Sequence, residues 1–176
     1  MRMLKPLALF ILILCTIQPN NAEDIIEESC HRAPKYFLEC VKYVKPYQPS
    51  PKNPIEVVIT MFNIMRDKAD TTSTKISQVL AGKARPGTRE YEALEQCDNS
   101  YKDIETSDYQ KARYSIARGN PKFSLDTAND VLRKVSKCEV TFYGRAGGDI
   151  RTPLTDENNE MTLVVTIAAQ ILGSLL

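Results

Sequence analysis

TREYEALEQCDNSYKDIETSDYQKARYSIARGNPKFSLDTANDVLRKVSKCEVTFY, residues 88–143, decides the fold. Tyr91, Leu94, Cys97, Tyr101, Ile104, Tyr109, Ala112 and Ile116 recur at helical spacing, and Thr88 before them is a good N-cap. Gly119 stops that stripe, and Asn120-Pro121 at once provides a cap and a first helical position for the next. Phe123, Ala128, Val131, Leu132, Val135, Cys138 and Phe142 then share one face until Gly144, Gly147 and Gly148 break the pattern. Two amphipathic helices joined by so short a bend must fold back antiparallel. Cys97 and Cys138 lie at near-equal distances from the bend, so a disulfide between them would be a rung across a helical hairpin.

The same grammar extends outward in both directions. Upstream, Asn53 is an N-cap and Pro54 fits the first helical position. Ile55, Val58, Ile59, Phe62, Met65, Ala69, Thr72, Ile76, Val79 and Leu80 follow at helical spacing, with Gly82 as terminator. Downstream, Thr152-Pro153 repeats the start signal before a helix that is apolar over Leu163, Val164, Ile167, Ala168, Ile171 and Leu172. The prediction is all-α: four long amphipathic helices, 53–176, with sequential neighbours antiparallel. The uncharged tail Met161 to Leu176 makes a poor membrane span, because it carries Thr162, Thr166, Gln170 and Ser174. Removing it would leave a three-helix remnant with an open apolar groove, so it reads as core.

A Pro-rich link, Pro46, Pro49, Pro51 and Pro54, separates the bundle from a small unit holding Cys30 and Cys40, and these two precede it within residues 23–52. The first 22 residues read as a secretory signal: Arg2 and Lys5, the apolar run Leu7 to Cys15, Pro19, and a small residue at Ala22. Cleavage there removes Cys15 and leaves four cysteines in an oxidising compartment, so two disulfides are expected. Three connectivities exist for four cysteines, and nearest-neighbour pairing is favoured. A zinc site is disfavoured because the spacings lack a close ligand pair.

Composition excludes other classes. The chain has 176 residues with 23 basic and 22 acidic side chains, so no counterion-release drive favours nucleic acid. An apolar fraction of 43% argues against disorder. There is one histidine, His31, no Trp, and no CxxC, HExxH or phosphate-loop pattern. No nucleophile, base and orienter assemble from the sequence, so no catalytic residue, metal or cofactor is assigned. His31 reads as structural, and the Lys and Arg groups along 111–118 and 133–137 as solvated helix faces.

Cys30-x9-Cys40, Leu94-x2-Cys97-x3-Tyr101 and the Ala128/Leu132 stretch running into Cys138 and Phe142 together resemble the plant secreted inhibitors of invertases and of pectin methylesterases. The likeness covers essentially the whole mature chain, with Ile104 where that family usually has a small Ala. It implies pairing of the first cysteine with the second and the third with the fourth, and an N-terminal helical hairpin ahead of an up-down-up-down four-helix bundle. Pro121-Lys122-Phe123 is similar to the Pro-Lys-Phe motif of the invertase inhibitors, which inserts toward the target's sucrose-binding pocket. The resemblance therefore implies a secreted inhibitor, not an enzyme, whose partner-binding residues are Asn120, Pro121, Lys122 and Phe123. The expected partner is an acid invertase, a glycoside hydrolase with paired carboxylates to which a lysine ammonium is complementary. Inhibition of pectin methylesterase through helix faces is the alternative. The expected form is a monomer in the apoplast or vacuole, without nucleic acid or membrane partners.

Overall fold

The computed structural model describes residues 22–82, 84–143 and 152–176. Among them, helices α1 (Ala22–His31) and α2 (Phe37–Tyr47), joined through a 3-10 turn at Pro34–Tyr36, form the N-terminal hairpin. The bundle consists of α3 (Pro54–Gly82), then α4 (Arg89–Asp103), a π-helical turn (Ile104–Asp108) and α5 (Tyr109–Ala117), then α6 (Pro121–Tyr143) and α7 (Thr155–Gly173). The expected signal segment falls outside the described residues except Ala22, which opens α1, and so do the glycines at 144, 147 and 148.

Each start has the chemistry its sequence announced. The Asn53 side-chain oxygen accepts the Glu56 amide at 3.1 Å, and Thr88 accepts the Tyr91 amide at 3.2 Å. α7 departs slightly: Leu154 occupies its N-cap and Thr152 stands outside the helix, where its hydroxyl accepts the Leu154 amide at 3.2 Å. The second bundle helix is also not continuous α-helix as its stripe suggested. Its apolar positions step by five from Ile104 to Tyr109, and a single π turn absorbs the extra residue so that both remain buried. Ile104, the departure from the family pattern, is fully buried at the start of that turn.

Packing closes the four bundle helices into a square. α3 lies against α4–α5 and α7, and α6 lies against the same two neighbours from the other side. Phe62, Met65, Leu94, Ile104, Met161, Ile167 and Ile171 fill the centre and exclude water. The former tail thus belongs to the core, and no described helix is long and apolar enough to cross a membrane. The N-terminal hairpin packs along α3, with α1 also reaching α7, where Arg32 donates to the Ser174 hydroxyl at 3.2 Å. Cys30 and Cys40 are bonded to each other within it. His31 stacks on Phe37 with ring centroids 4.4 Å apart.

Two polar features tie the helices across this apolar centre. The Tyr101 hydroxyl donates to the Asn158 carbonyl at 2.7 Å, and the Asn158 amide donates in turn to Glu139, joining α4, α7 and α6. Burial, with the nearby Glu157 and Glu139 charges, raises the Tyr101 phenol far above its ordinary value, so it remains a neutral donor. Nearer the bend, Lys134 of α6 bonds Asp108 at 2.5 Å and also Asp103. That lysine is an ion-pair centre rather than part of a solvated face, because the π turn carries Asp108 inward.

Two outcomes follow from these ties. Asn158→Ala should lower unfolding free energy by roughly 2 kcal/mol, the cost of leaving the buried Tyr101 hydroxyl without an acceptor, as measured by urea denaturation. The Lys134 hydrogen bond lowers the Asp103 carboxyl below its ordinary 3.8. Burial draws Lys134 down, but bonds to Asp103 and Asp108 outweigh it and raise the ammonium above 10.5. The Asp103 contribution is therefore present above the ordinary carboxyl value and lost as pH falls through the lowered one. That of Lys134 is present below its ordinary value and lost as pH rises through the raised one. Lys134→Met should depress the melting temperature near neutral pH, with the difference from the native chain shrinking below about pH 4.

Candidate functional site

The bend between α5 and α6 is built from backbone hydrogen bonds that the sequence makes obligatory. Just past the end of α5, Gly119 stands at φ +71°, the left-handed conformation that side chains with a Cβ disfavour. The Gly119 amide reaches the Ile116 carbonyl at 2.9 Å, and the Asn120 amide reaches the Ser115 carbonyl at 2.8 Å, which together make a Schellman motif. Asn120 then turns to the next helix: its side-chain oxygen accepts the Phe123 amide at 3.1 Å. One residue therefore closes α5 with its backbone and opens α6 with its side chain. Pro121 follows at N1, where its fixed φ suits the helix and its missing N–H removes no intrahelical bond.

Below the bend, the two arms are fastened together. The buried Ser124 hydroxyl donates to the Ala112 carbonyl of α5 at 2.8 Å. Ser124 has no role in the sequence reading; its signal is a hydroxyl on the apolar face of α6, one turn after the cap. Further down come the Lys134 bonds to Asp103 and Asp108, and then the Cys97–Cys138 disulfide, with Cα atoms 5.1 Å apart. These contacts step outward in antiparallel register, so the bend is the closed end of a rigid ladder.

On this support Lys122 projects outward, its side chain 75% exposed, and meets the Asp126 carboxylate at 3.9 Å one helical turn on. An ion pair at that separation between exposed partners contributes about 0.5 kcal/mol at most, so a better-placed carboxylate can displace it. Phe123 is half exposed rather than packed into the bundle end. Arg118 adds a second cation to the corner, its guanidinium 4.6 Å from the Tyr114 ring centroid. The corner offers two exposed cations and exposed aromatic surface on a fixed backbone, suited to an acidic recess with apolar walls. No group of His, Cys, Asp and Glu among the described residues could hold a metal ion.

A family model described as plant invertase/pectin methylesterase inhibitor matches residues 24–171. The chain belongs to this family. Among curated relatives, the Arabidopsis thaliana protein named cell wall / vacuolar inhibitor of fructosidase 1 is 27% identical over 176 residues, spanning 99% of this chain and 80% of that protein. Two crystal structures share the inhibitor fold at 16% identity. Mutant form A of an Arabidopsis pectin methylesterase inhibitor matches with a TM-score of 0.65 over 82% of this chain and 92% of that one. An Arabidopsis thaliana pectin methylesterase inhibitor matches with a TM-score of 0.60 over 86% and 95%. In this member of the inhibitor family, the disulfides join Cys30 to Cys40 and Cys97 to Cys138.

Gly119→Ala should destabilise the folded chain by about 1 kcal/mol, because alanine is strained at positive φ. Asn120→Ala should cost a similar amount through loss of the cap, with both measured by thermal unfolding.

Proposed function

We propose that the protein is a secreted inhibitor of a plant acid invertase, with the 119–123 corner as its partner-binding element. The observation that carries the proposal is Lys122, an exposed ammonium on a bend whose backbone is already fixed by two overlapping caps. Preorganisation of this kind matters because each side chain or loop that must be ordered on docking subtracts from affinity. The cation needs only to exchange the distant Asp126 for a carboxylate of the target. Glycoside hydrolases place two carboxylates about the bond they cleave, and a lysine between them obstructs substrate without offering a bond to break. The relative named as an inhibitor of fructosidase supports invertase as the target class and the cell wall or vacuole as the compartment.

Pro121 and Asn120 set the direction of the corner, Lys122 supplies charge, and Phe123 supplies apolar contact at its edge. Sucrose hydrolysis by a cell-wall or vacuolar invertase at acidic pH should fall as the protein is added. Lys122→Ala should weaken inhibition by on the order of tenfold to a hundredfold, the loss expected when one partner of a desolvated charge pair is removed. Helix content by circular dichroism should stay unchanged, since the one polar contact of the Lys122 side chain among the described residues is the weak Asp126 pair. Methanol release from pectin by a pectin methylesterase should not respond. Unaltered sucrose hydrolysis with suppressed methanol release would assign the chain to the family's other target.

A further inference from the structure

A second polar site lies at the junction of α2, α3 and α5, outside the corner. There an open cleft of about 200 Å³ is lined by Tyr47 and Gln48 at the end of α2, by Glu56, Thr60 and Asn63 of α3, and by Arg113 of α5. Its two charged walls, Glu56 and Arg113, do not pair with each other. Glu56 is held to its side by the Lys52 amide, which donates to one carboxylate oxygen at 2.9 Å. Arg113 is held to the other through a single guanidinium nitrogen, which donates to the Tyr109 hydroxyl at 3.2 Å and to Asn63 at 3.4 Å.

Neither restraint exhausts the group it holds. The other Glu56 oxygen and the remaining Arg113 nitrogens have no partner among the described residues. Arg113 therefore keeps a planar fork of N–H donors with no carboxylate against it. Both anchors are neutral groups, so each charge keeps its own side of the cleft. The Tyr109 ring adds to the anchorage: the guanidiniums of Arg113 and Arg66 lie 5.9 Å and 5.0 Å from its centroid. At the rim, Tyr47 is half exposed, yet its hydroxyl is bound to Asp67 at 2.8 Å, so the ring is an oriented apolar plate.

We propose that this cleft binds the ring of a neutral hexose, arriving free or as the terminal residue of a glycan. Sugar hydroxyls donate and accept at once. Vicinal hydroxyls match a fixed donor fork on one wall and a carboxylate acceptor on the other, while the amides of Gln48 and Asn63 meet the hydroxyls between. The C–H face of a sugar packs on an aromatic plate such as Tyr47. Size agrees: the volume suits one ring and lies below the roughly 300 Å³ at which sites for drug-sized molecules begin. Charge also decides against an acidic sugar, because a uronate carboxylate drawn to Arg113 would share the cleft with Glu56. The binding does not depend on which enzyme the corner inhibits.

Amide and side-chain NMR spectra of the 15N-labelled protein test the proposal. Glucose, fructose or sucrose should shift the signals of Gln48, Thr60, Asn63 and Arg113 in a saturable, millimolar titration, and galacturonate should bind more weakly. A high-mannose oligosaccharide binding more tightly than the free sugars identifies a glycan end as the source; equal or weaker binding identifies the free sugar. Tyr47→Ala and Arg113→Ala, each checked for native spectral dispersion, should weaken binding at least about tenfold, the factor carried by one good contact. The proposal is overturned by an absence of shifts at about 100 mM sugar, where millimolar sites are filled. Shifts that survive both substitutions, or larger ones from the zwitterion glycine, overturn it equally.

Discussion

The antiparallel register between the second and third bundle helices is the constraint on which the rest of the molecule depends. A disulfide at Cys97–Cys138, an ion pair at Asp108–Lys134 and a hydroxyl bond at Ala112–Ser124 fix that register at successive levels. In the chain-entropy account, closing the 41-residue span removes about 4 kcal/mol of unfolded-state freedom. A slip of one residue would rotate every apolar position of α6 by about 100° and set its stripe against solvent. The bend is therefore a consequence of the helices below it as much as of its own residues.

Much of this fold is legible in the sequence because its signals are local and redundant. Apolar spacing, N-cap residues and terminating glycines agree at Asn53, Gly82, Thr88, Gly119 and Asn120, and the helices begin and end there. The π turn was hidden because a stripe that steps by five once reads as minor irregularity. Only tertiary burial of both Ile104 and Tyr109 shows that a residue must be absorbed. Lys134 reads as solvated for the same reason: an exposed lysine and one facing Asp108 look identical until the turn sets the aspartate's direction. The Thr152-Pro153 start was early because Thr152 bonds the Leu154 amide from outside the helix.

The corner and the cleft differ in what a sequence can reveal. Asn120 to Phe123 are contiguous, and their chemistry follows from cap and turn rules that need no tertiary contact. Tyr47, Glu56 and Arg113 come from three helices, and neither their meeting nor the separation of the two charges has any local signature. Both features lie toward the end of the bundle where α3 begins and α5 meets α6. Lys122, Glu56 and Arg113 lie toward that end, while the opposite half is tied by the Tyr101–Asn158–Glu139 bonds.

Asn120 carries a consequence for how this chain can change. Because one residue is shared by the end of one helix and the start of the next, the corner has no slack to gain or lose. Inserting a single amino acid would divide its two duties between neighbours, and the ammonium would sweep over a surface instead of holding one bearing. Deleting one would abolish a duty outright. Change at this corner of the chain is thus confined to swapping side chains at constant length, with the 41-residue separation of Cys97 and Cys138 kept.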